Sequence, residues 1–359
     1  MFDIKGFFSG EKQLVGLDIG SSCIKIVEIQ DNPKGRILTR LSRIPLAKGV
    51  IIDGAVVEPE ALTATIKELY QQSGCKSRQI VTSISGHAVI VKKATFAQMD
   101  DEELRALIHD EAGKYLPFDD MSAVDYDVQI IGENPYNPSQ MEVLIVAAKK
   151  EIIEGYTEAI RAAGLMPVIM DVDSFALETM YEENYQFEEN DVAVLINIGA
   201  SITNLNAVKG GVSIFTRDFT LGGNSITEAL AANLGVSFEE AEKVKIKGTG
   251  DDEQARAAYR QGLVAYADPI CSEIERSVDY FRSTFGAENI GKVLLSGGGG
   301  MIPGMAADLG NRLGIETEMA NPFKEILLDN RVLKPEAAGR IGPIAAVGVG
   351  LALRKIGDQ

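Results

Sequence analysis

The stretch LVGLDIGSSCIKIVEI, Leu14–Ile29, reads as a hydrophobic strand, a tight polar turn at Gly20, Ser21 and Ser22, and a second strand. An apolar run, a glycine-bearing bend and another apolar run make the signature of a β-hairpin. The same plan returns in VAVLINIGASITNLNAV, Val192–Val208, with Asn197 where the first copy has Asp18 and with Gly199 at the bend. Two such hairpins half a chain apart predict an internal duplication and two like-folded α/β lobes.

Strands and helices alternate between the hairpins. EPEALTATIKELYQQSG has Pro59 at its start, Leu62, Ile66, Leu69 and Tyr70 at helical spacing, and Gly74 at its end, as an amphipathic helix should. The segment 89–170 reads as an insert with its own strands and helices. One of these helices carries Leu104, Leu107, Ile108, Tyr115 and Leu116 on one face, with Asp100 and Glu103 at capping-box spacing and Pro117 after its end. Beyond the second hairpin, SITEALAANLG, SFEEAEKVKIKG and YADPICSEIERSVDYFRSTFG read as helices. KVLLSGG then reads as a buried strand running into four consecutive glycines, Gly297–Gly300, within LLSGGGGMIPGM. Glycine loses more freedom on folding than any other residue, so such a run is costly unless the backbone there must lie close to something.

Composition narrows the function. A chain of 359 residues has room for two domains, or for one large α/β unit with insertions. Its net charge of −17 argues against a nucleic-acid surface, which needs a basic footprint. Cys23, Cys75 and Cys271 lie far apart without metal or redox spacing, and the start MFDIKGFFSGEKQ does not resemble a signal peptide. A reducing cytoplasm is the expectation. The longest apolar run, Ile341–Leu353, is too short to span a bilayer and reads as a buried helix. Phe2, Ile4, Phe7 and Phe8 suit either docking on a partner or membrane, or a loosely packed terminus.

Several residues could carry chemistry. A buried strand that ends in Asp18 and turns through Gly20, Ser21 and Ser22 offers backbone N–H groups to phosphate oxygens. Asp18 would hold Mg²⁺ through water, because that ion keeps much of its hydration shell. Lys25 can return across the hairpin to neutralise phosphate charge; the alternative is a plain hairpin with a solvated aspartate. GAENIGKV, Gly286–Val293, nearly matches a Walker A loop. It lacks the closing hydroxyl residue and precedes its strand, so it is set aside. Glu242 and Lys245 share a helical face, as a solvated ion pair or as ligand contacts. Asp173, in MDVDSFAL, suits either a helix N-cap or a water-orienting catalytic carboxylate. His87 and His109 have no partner at motif spacing.

In order, DIGSSCIK, the second hairpin and SGGGGMIPG resemble the phosphate 1, phosphate 2 and adenosine motifs of the actin, Hsp70 and sugar kinase superfamily. Ser296, Gly297, Gly298, Met301, Pro303 and Gly304 carry the most specific part of that likeness. The resemblance implies an actin-like (ribonuclease H-like) duplicated two-lobe α/β fold that binds ATP with Mg²⁺. Asp18, Gly20, Ser21, Ser22 and Lys25 would lie on one side. Asn197, Gly199, Ser201, Thr203, Glu242, Lys245, Gly297, Gly298, Gly299 and Met301 would lie on the other. Asn197 stands where the phosphate 2 motif normally has Asp, and Ala200 and Ser201 also depart from the pattern. An amide brings no charge to a metal-bound water, so the expectation is at most a slow ATPase.

The text and position of the insert are similar to the PilM family of type IV pilus assembly proteins, with an insert placed like the 1C subdomain of FtsA. That resemblance implies a cytoplasmic scaffold, recruited to the inner membrane through its partner, that holds the N-terminal cytoplasmic tail of PilN beside the insert. Leu104, Leu107 and Ile108 are the expected partner contacts. Other pilus components, the motor ATPase and a homo-oligomer are left open. An FtsA-like division protein or filament former is the alternative, with a small-molecule kinase behind it. The expected limits are 14–88, 171–191 and 330–359 for lobe 1, 89–170 for the insert and 192–329 for lobe 2, with its 2B part at about 216–265.

Overall fold

The computed structural model describes residues 2–3, 13–87, 89–134, 136–249, 253, 256, 259, 262–285 and 289–357. Ile4, Phe7 and Phe8, and residues 286–288 of GAENIGKV, lie outside them. The chain divides into two compact units. Unit 1 comprises residues 1–33, 38–179 and 348–359, and unit 2 comprises 34–37 and 180–347.

Unit 1 opens with β1 (Phe2–Asp3), β2 (Val15–Ile19), β3 (Cys23–Asn32), β4 (Gly35–Pro45) and the small hairpin β5 (Ile51–Ile52) and β6 (Ala55–Val56). Helix α1 (Pro59–Ser73) has proline at its first position and ends at Gly74 in the left-handed conformation, φ 67°, an end that a residue with a Cβ disfavours. Then follow β7 (Gln79–Ile84), β8 (Val89–Ala97), α2 (Asp101–Tyr115), β9 (Val124–Glu133), β10 (Gln140–Lys149), α3 (Lys150–Ala162), β11 (Met166–Val172) and α4 (Asp173–Asn184). The main sheet of this unit runs β1-β11-β7-β2-β3-β4. All five residues of β2 are buried, which is why its sequence does not alternate and is apolar except for Asp18. Leu62, Ile66 and Leu69 of α1 and Ile152, Tyr156 and Ile160 of α3 pack on that sheet. The β2–β3 hairpin sets Asp18 opposite Lys25.

The insert is a three-stranded antiparallel sheet, β8-β10-β9. Helix α2 starts as its spacing predicts, with the Asp100 side chain accepting from the Glu103 amide, and ends at Leu116 before Pro117. Leu104 and Ile108 are fully buried against Met141, Val143 and Ile145 of β10, each burial contributing about 2 kcal/mol. Their expected role at a partner surface is therefore corrected. An amphipathic helix buries its apolar stripe on the nearest apolar face, and that face is the insert's own sheet; Leu107 is only partly covered. The opposite sheet face packs Leu144 and Val146 on Val172 and Phe175.

Unit 2 contains β12 (Val192–Ile198), β13 (Thr203–Lys209), β14 (Val212–Phe219), α5 (Gly223–Leu234), α6 (Phe238–Lys247), α7 (Asp268–Phe285), β15 (Ile290–Ser296), α8 (Met305–Leu313), β16 (Thr317–Met319) and β17 (Leu327–Leu328). The first three strands join β15 and β16 in the order β14-β13-β12-β15-β16. Ile270, Ile274, Val278 and Phe281 of α7 enter the core with Leu295 and Leu309, the inward face that the sequence predicts. Ser237 and Glu240 form a reciprocal capping box at the start of α6. The chain closes with α9 (Pro335–Leu353). By length and composition this helix is apolar enough to cross a membrane, yet 61% of its apolar window is buried within the protein. In unit 1 its Gly350 lies so close to α4 that a Cβ would collide with the Ala176 carbonyl.

Candidate functional site

In unit 1 the hairpin turn closes with the Gly20 amide donating to the Cys23 carbonyl at 3.2 Å. Ser22 is exposed and Ser21 half-buried at its tip. Lys25 Nζ donates to Asp18 Oδ2 at 2.8 Å across the hairpin, with side-chain exposures of only 14% and 11%. Burial pushes the Lys25 ammonium down. The charge of Asp18 and its hydrogen bond outweigh that effect, and Cys23 and Asp173 add to them, so the group sits above the ordinary lysine value. The solvated-aspartate alternative is thus excluded.

Asp173 is the first residue of α4, where a carboxylate complements the helix dipole. Ser83 at the end of β7 donates to its Oδ1 at 2.5 Å. One neighbour escaped sequence reasoning: Tyr156 of α3 is buried, and its phenol is pushed up first by burial and then by the carboxylates of Asp173 and Asp18. Gly348 of α9 also lies against Asp18. Two carboxylates, an ammonium, a phenol and the hairpin turn therefore gather at one end of the sheet.

In unit 2 the turn of the second hairpin repeats the backbone hydrogen bond that closes the first. The Gly199 amide donates to the Ile202 carbonyl at 2.9 Å, and Asn197 stands opposite Asn204. Asn197 Nδ2 donates to Asn204 Oδ1 at 3.0 Å, so two amides replace the charged pair of unit 1. Asn204 Nδ2 is buried without an acceptor. Ser296 Oγ donates to the Ile196 carbonyl at 3.0 Å and lies 3.5 Å from Asn197 Oδ1.

The four glycines differ in function. Gly297 has φ 83°, and a Cβ there would strike the Ile198 carbonyl and come within 2.6 Å of Asn197 Oδ1. A Cβ on Gly299 would collide with Ile198, and one on Gly300 would approach Leu295 at 3.0 Å. Three of the four therefore let the loop pass over the protein's own strands. Gly298 alone has nothing within 4 Å of its Cβ position and has helical dihedrals, φ −65° and ψ −34°, which any residue adopts. Met301 ends this turn, half-buried.

Lys245 is no solvated surface cation. Its Nζ contacts Glu242 Oε2 at 2.6 Å, Thr227 Oγ1 at 2.7 Å and the Gly223 carbonyl at 2.9 Å. The Cβ position of Gly223, the first residue of α5, lies 3.4 Å from that ammonium and 3.8 Å from Gly299 Cα. The Glu242–Lys245 pair, the start of α5 and the glycine run thus converge. Ser201 accepts from Asn224 Nδ2 at 3.1 Å. Thr203 corrects its expected role: it is fully buried, and its hydroxyl donates to the Leu221 carbonyl at 2.7 Å, so it braces the loop before α5. Thr227, Gly223 and Asn204 were not anticipated. The first two depend on α5–α6 packing, whereas Asn204 repeats the seven-residue spacing from Asp18 to Lys25.

Among the described residues no three His, Cys, Asp or Glu side chains are grouped to hold a metal ion.

Comparison with known proteins places these features in context. The family profile described as "Type IV pilus assembly protein PilM" matches residues 16–356. A solved structure titled "PilM-PilN type IV pilus biogenesis complex" superposes with a TM-score of 0.82 and 31% identity, over 96% of this chain and 99% of that one. MreB5 of Spiroplasma citri bound to ADP shares the fold at a TM-score of 0.51 and 11% identity, over 94% of each chain. The cell division protein FtsA of Bacillus subtilis is 21% identical over 253 residues, which is 64% of this chain and 57% of FtsA. The chain thus spans little more than half the length of that curated relative. The actin-like α/β fold that the motif resemblance implies is the fold of these structures. With the match running from the first hairpin to the end of α9, the chain belongs to the PilM family of type IV pilus assembly proteins.

Proposed function

We propose that this protein is a nucleotide-binding scaffold of the type IV pilus assembly platform, and that it holds the N-terminal cytoplasmic tail of PilN. The observation that carries this reading is the end-to-end likeness to a PilM–PilN complex at 31% identity. The protein would act at the cytoplasmic face of the inner membrane, recruited there through its partner.

The residues present fit ATP. Gly298 has dihedrals open to any side chain and an empty flank, so a bound ligand is a physical reason for glycine there. In unit 2, Glu242, Lys245, Gly223 and Gly298 would contact the nucleoside, with Gly297, Gly299 and Met301 shaping the loop. Gly199 and Ser201 would line its phosphate side. In unit 1, Gly20, Ser21 and Ser22 would offer backbone N–H groups to phosphate oxygens, and Lys25 would neutralise them. Asp18 would orient water around Mg²⁺, whose charge would polarise the terminal phosphate. Asp173, held by Ser83, would orient an incoming water. Asn197 contributes no charge to that ion, and this supports slow turnover or none.

Immobilised PilN tail peptide should retain the protein from solution, and the protein should bind a fluorescent ATP analogue saturably. Failure to retain the protein, with or without ATP, would refute the scaffold reading.

A further inference from the structure

In unit 1, strands β2, β7 and β11 run parallel. The hairpin turn at Gly20–Ser22 and Asp173 both lie at their C-terminal ends, the end at which open α/β sheets bind ligands. Helix α3 leads through Ala163, Gly164 and Leu165 into β11 and packs on it. It therefore runs antiparallel to that strand, and its first turns lie beside the same end of the sheet. Tyr156 stands midway along α3. Helical side chains tilt toward the N-terminus of their helix, which aims this phenol at the turn and at Asp173. Its ring is buried, 4% exposed, in the core that also holds Ile19, Ile24 and Ile84, and Asp173 and Asp18 are the charges that reach its hydroxyl. Among the described residues that hydroxyl has no hydrogen-bond partner. It is nevertheless not one of the sealed, unpaired atoms, which are Gln79 Oε1, Asn204 Nδ2 and Tyr259 Oη, so the oxygen keeps an opening. Phenylalanine would fill the same space, so packing alone does not account for the oxygen.

We propose that Tyr156 is the residue by which this site tells ATP from ADP: its hydroxyl donates to an oxygen of the terminal phosphate, the group that ADP lacks. The proposal rests on the nucleotide-binding reading above and adds the residue that sets its specificity. A phenol is protonated at neutral pH and has one hydrogen to donate. The carboxylates of Asp18 and Asp173 repel phosphate oxygens, and Lys25 already pairs with Asp18 at 2.8 Å. A neutral donor in this cluster gives a terminal phosphate an attractive contact there. A nucleotide one phosphate shorter ends before that contact, so the hydroxyl discriminates by length.

The test is equilibrium binding of ATP and of ADP, each with Mg²⁺, to the full chain and to its Tyr156→Phe variant. The intact protein should bind ATP more tightly than ADP. In Tyr156→Phe, ATP affinity should fall about tenfold or more, the usual effect of losing a hydrogen bond to a charged group, while ADP affinity holds within about twofold. The ring stays in place, so calorimetric melting should be unchanged. An independent readout on the full chain is 3-fluorotyrosine at position 156, whose ¹⁹F resonance should move with ATP and stay in place with ADP. Equal affinity of the intact protein for the two nucleotides, a resonance that moves equally with both, affinities that fall together in the variant, or an unchanged ATP affinity would each overturn the proposal while leaving nucleotide binding intact. If the intact protein binds neither nucleotide, the nucleotide-binding reading falls and this proposal with it.

Discussion

Asn197 and Asn204 face each other across the second hairpin, joined by a 3.0 Å amide–amide bond, at the positions that Asp18 and Lys25 occupy in the first. One half of the duplication keeps a charged pair and the other has neutralised it. Asn204 Nδ2 is left buried and unpaired, so the neutral pair is not fully satisfied on its own.

Asn197→Asp should therefore be tolerated by the fold, because rotating the Asn204 amide places its unpaired donor on the new carboxylate. Unfolding free energy should change by less than about 1 kcal/mol. A carboxylate about 6 Å from a divalent ion, at an effective dielectric near 20, contributes on the order of 5 kcal/mol before the cost of desolvating it. The Mg²⁺ concentration that supports ATP binding should accordingly fall at least tenfold, read by titrating Mg²⁺ against a fluorescent ATP analogue. No change would show that position 197 does not face the metal.

Two glycine substitutions separate ligand contact from internal packing. Gly299→Ala drives a methyl into Ile198 and should cost about 1–3 kcal/mol of stability. Gly298→Ala places its methyl in open space at a helical φ, so the melting temperature should hold while ATP affinity drops about tenfold or more. Calorimetric melting with equilibrium ATP binding on both variants distinguishes them. Unchanged affinity in Gly298→Ala would remove that residue from the nucleotide contacts.

Arg354 follows α9, and its Nε donates to Asp171 Oδ2 at 2.7 Å, with the aspartate side chain fully buried. Arg354→Met leaves that carboxylate unpaired in the core, which costs about 3–5 kcal/mol. Asp171→Asn paired with Arg354→Met should recover part of the loss. Urea unfolding of the single and double variants measures it, and equal stability would show that the pair contributes nothing.

Stability should decline above about pH 9. Burial holds the thiols of Cys23, Cys75 and Cys271 above their ordinary value, Cys271 at about 12 with Asp308 adding to the shift. Between 9 and 12 the unfolded chain therefore releases a proton from Cys271 that the folded chain retains. Each such thiol lowers stability by up to about 1.4 kcal/mol per pH unit. Cys271→Ala should flatten this limb by about one proton's worth in urea titrations from pH 8 to 10.5. An unchanged slope would show that Cys271 ionises freely in the folded state.

Much of this arrangement was legible in the sequence because it depends on local chemistry. The hairpin turns and the capping residue Asp100 act within a few positions of themselves. What periodicity could not reveal was what each face meets. Leu104 and Ile108 read equally well as partner contacts or core, and only the β8-β10-β9 sheet decides between them. Thr203 looked like a ligand residue until Leu221, 18 residues away, accepted its hydroxyl. The reason for Gly297 and Gly299 was likewise long-range, set by the parallel pairing of β12 with β15, which brings Ile198 beside the loop. Among the described residues strand β1 shows two paired residues, too few for any pattern to announce it.

The central claim is tested most directly by isothermal titration of the PilN cytoplasmic tail peptide into the full chain with ATP, with ADP and without nucleotide. The account predicts saturable one-to-one binding in at least the ATP-loaded protein. No heat of binding in any of the three states, with the protein folded and ATP bound, would contradict it.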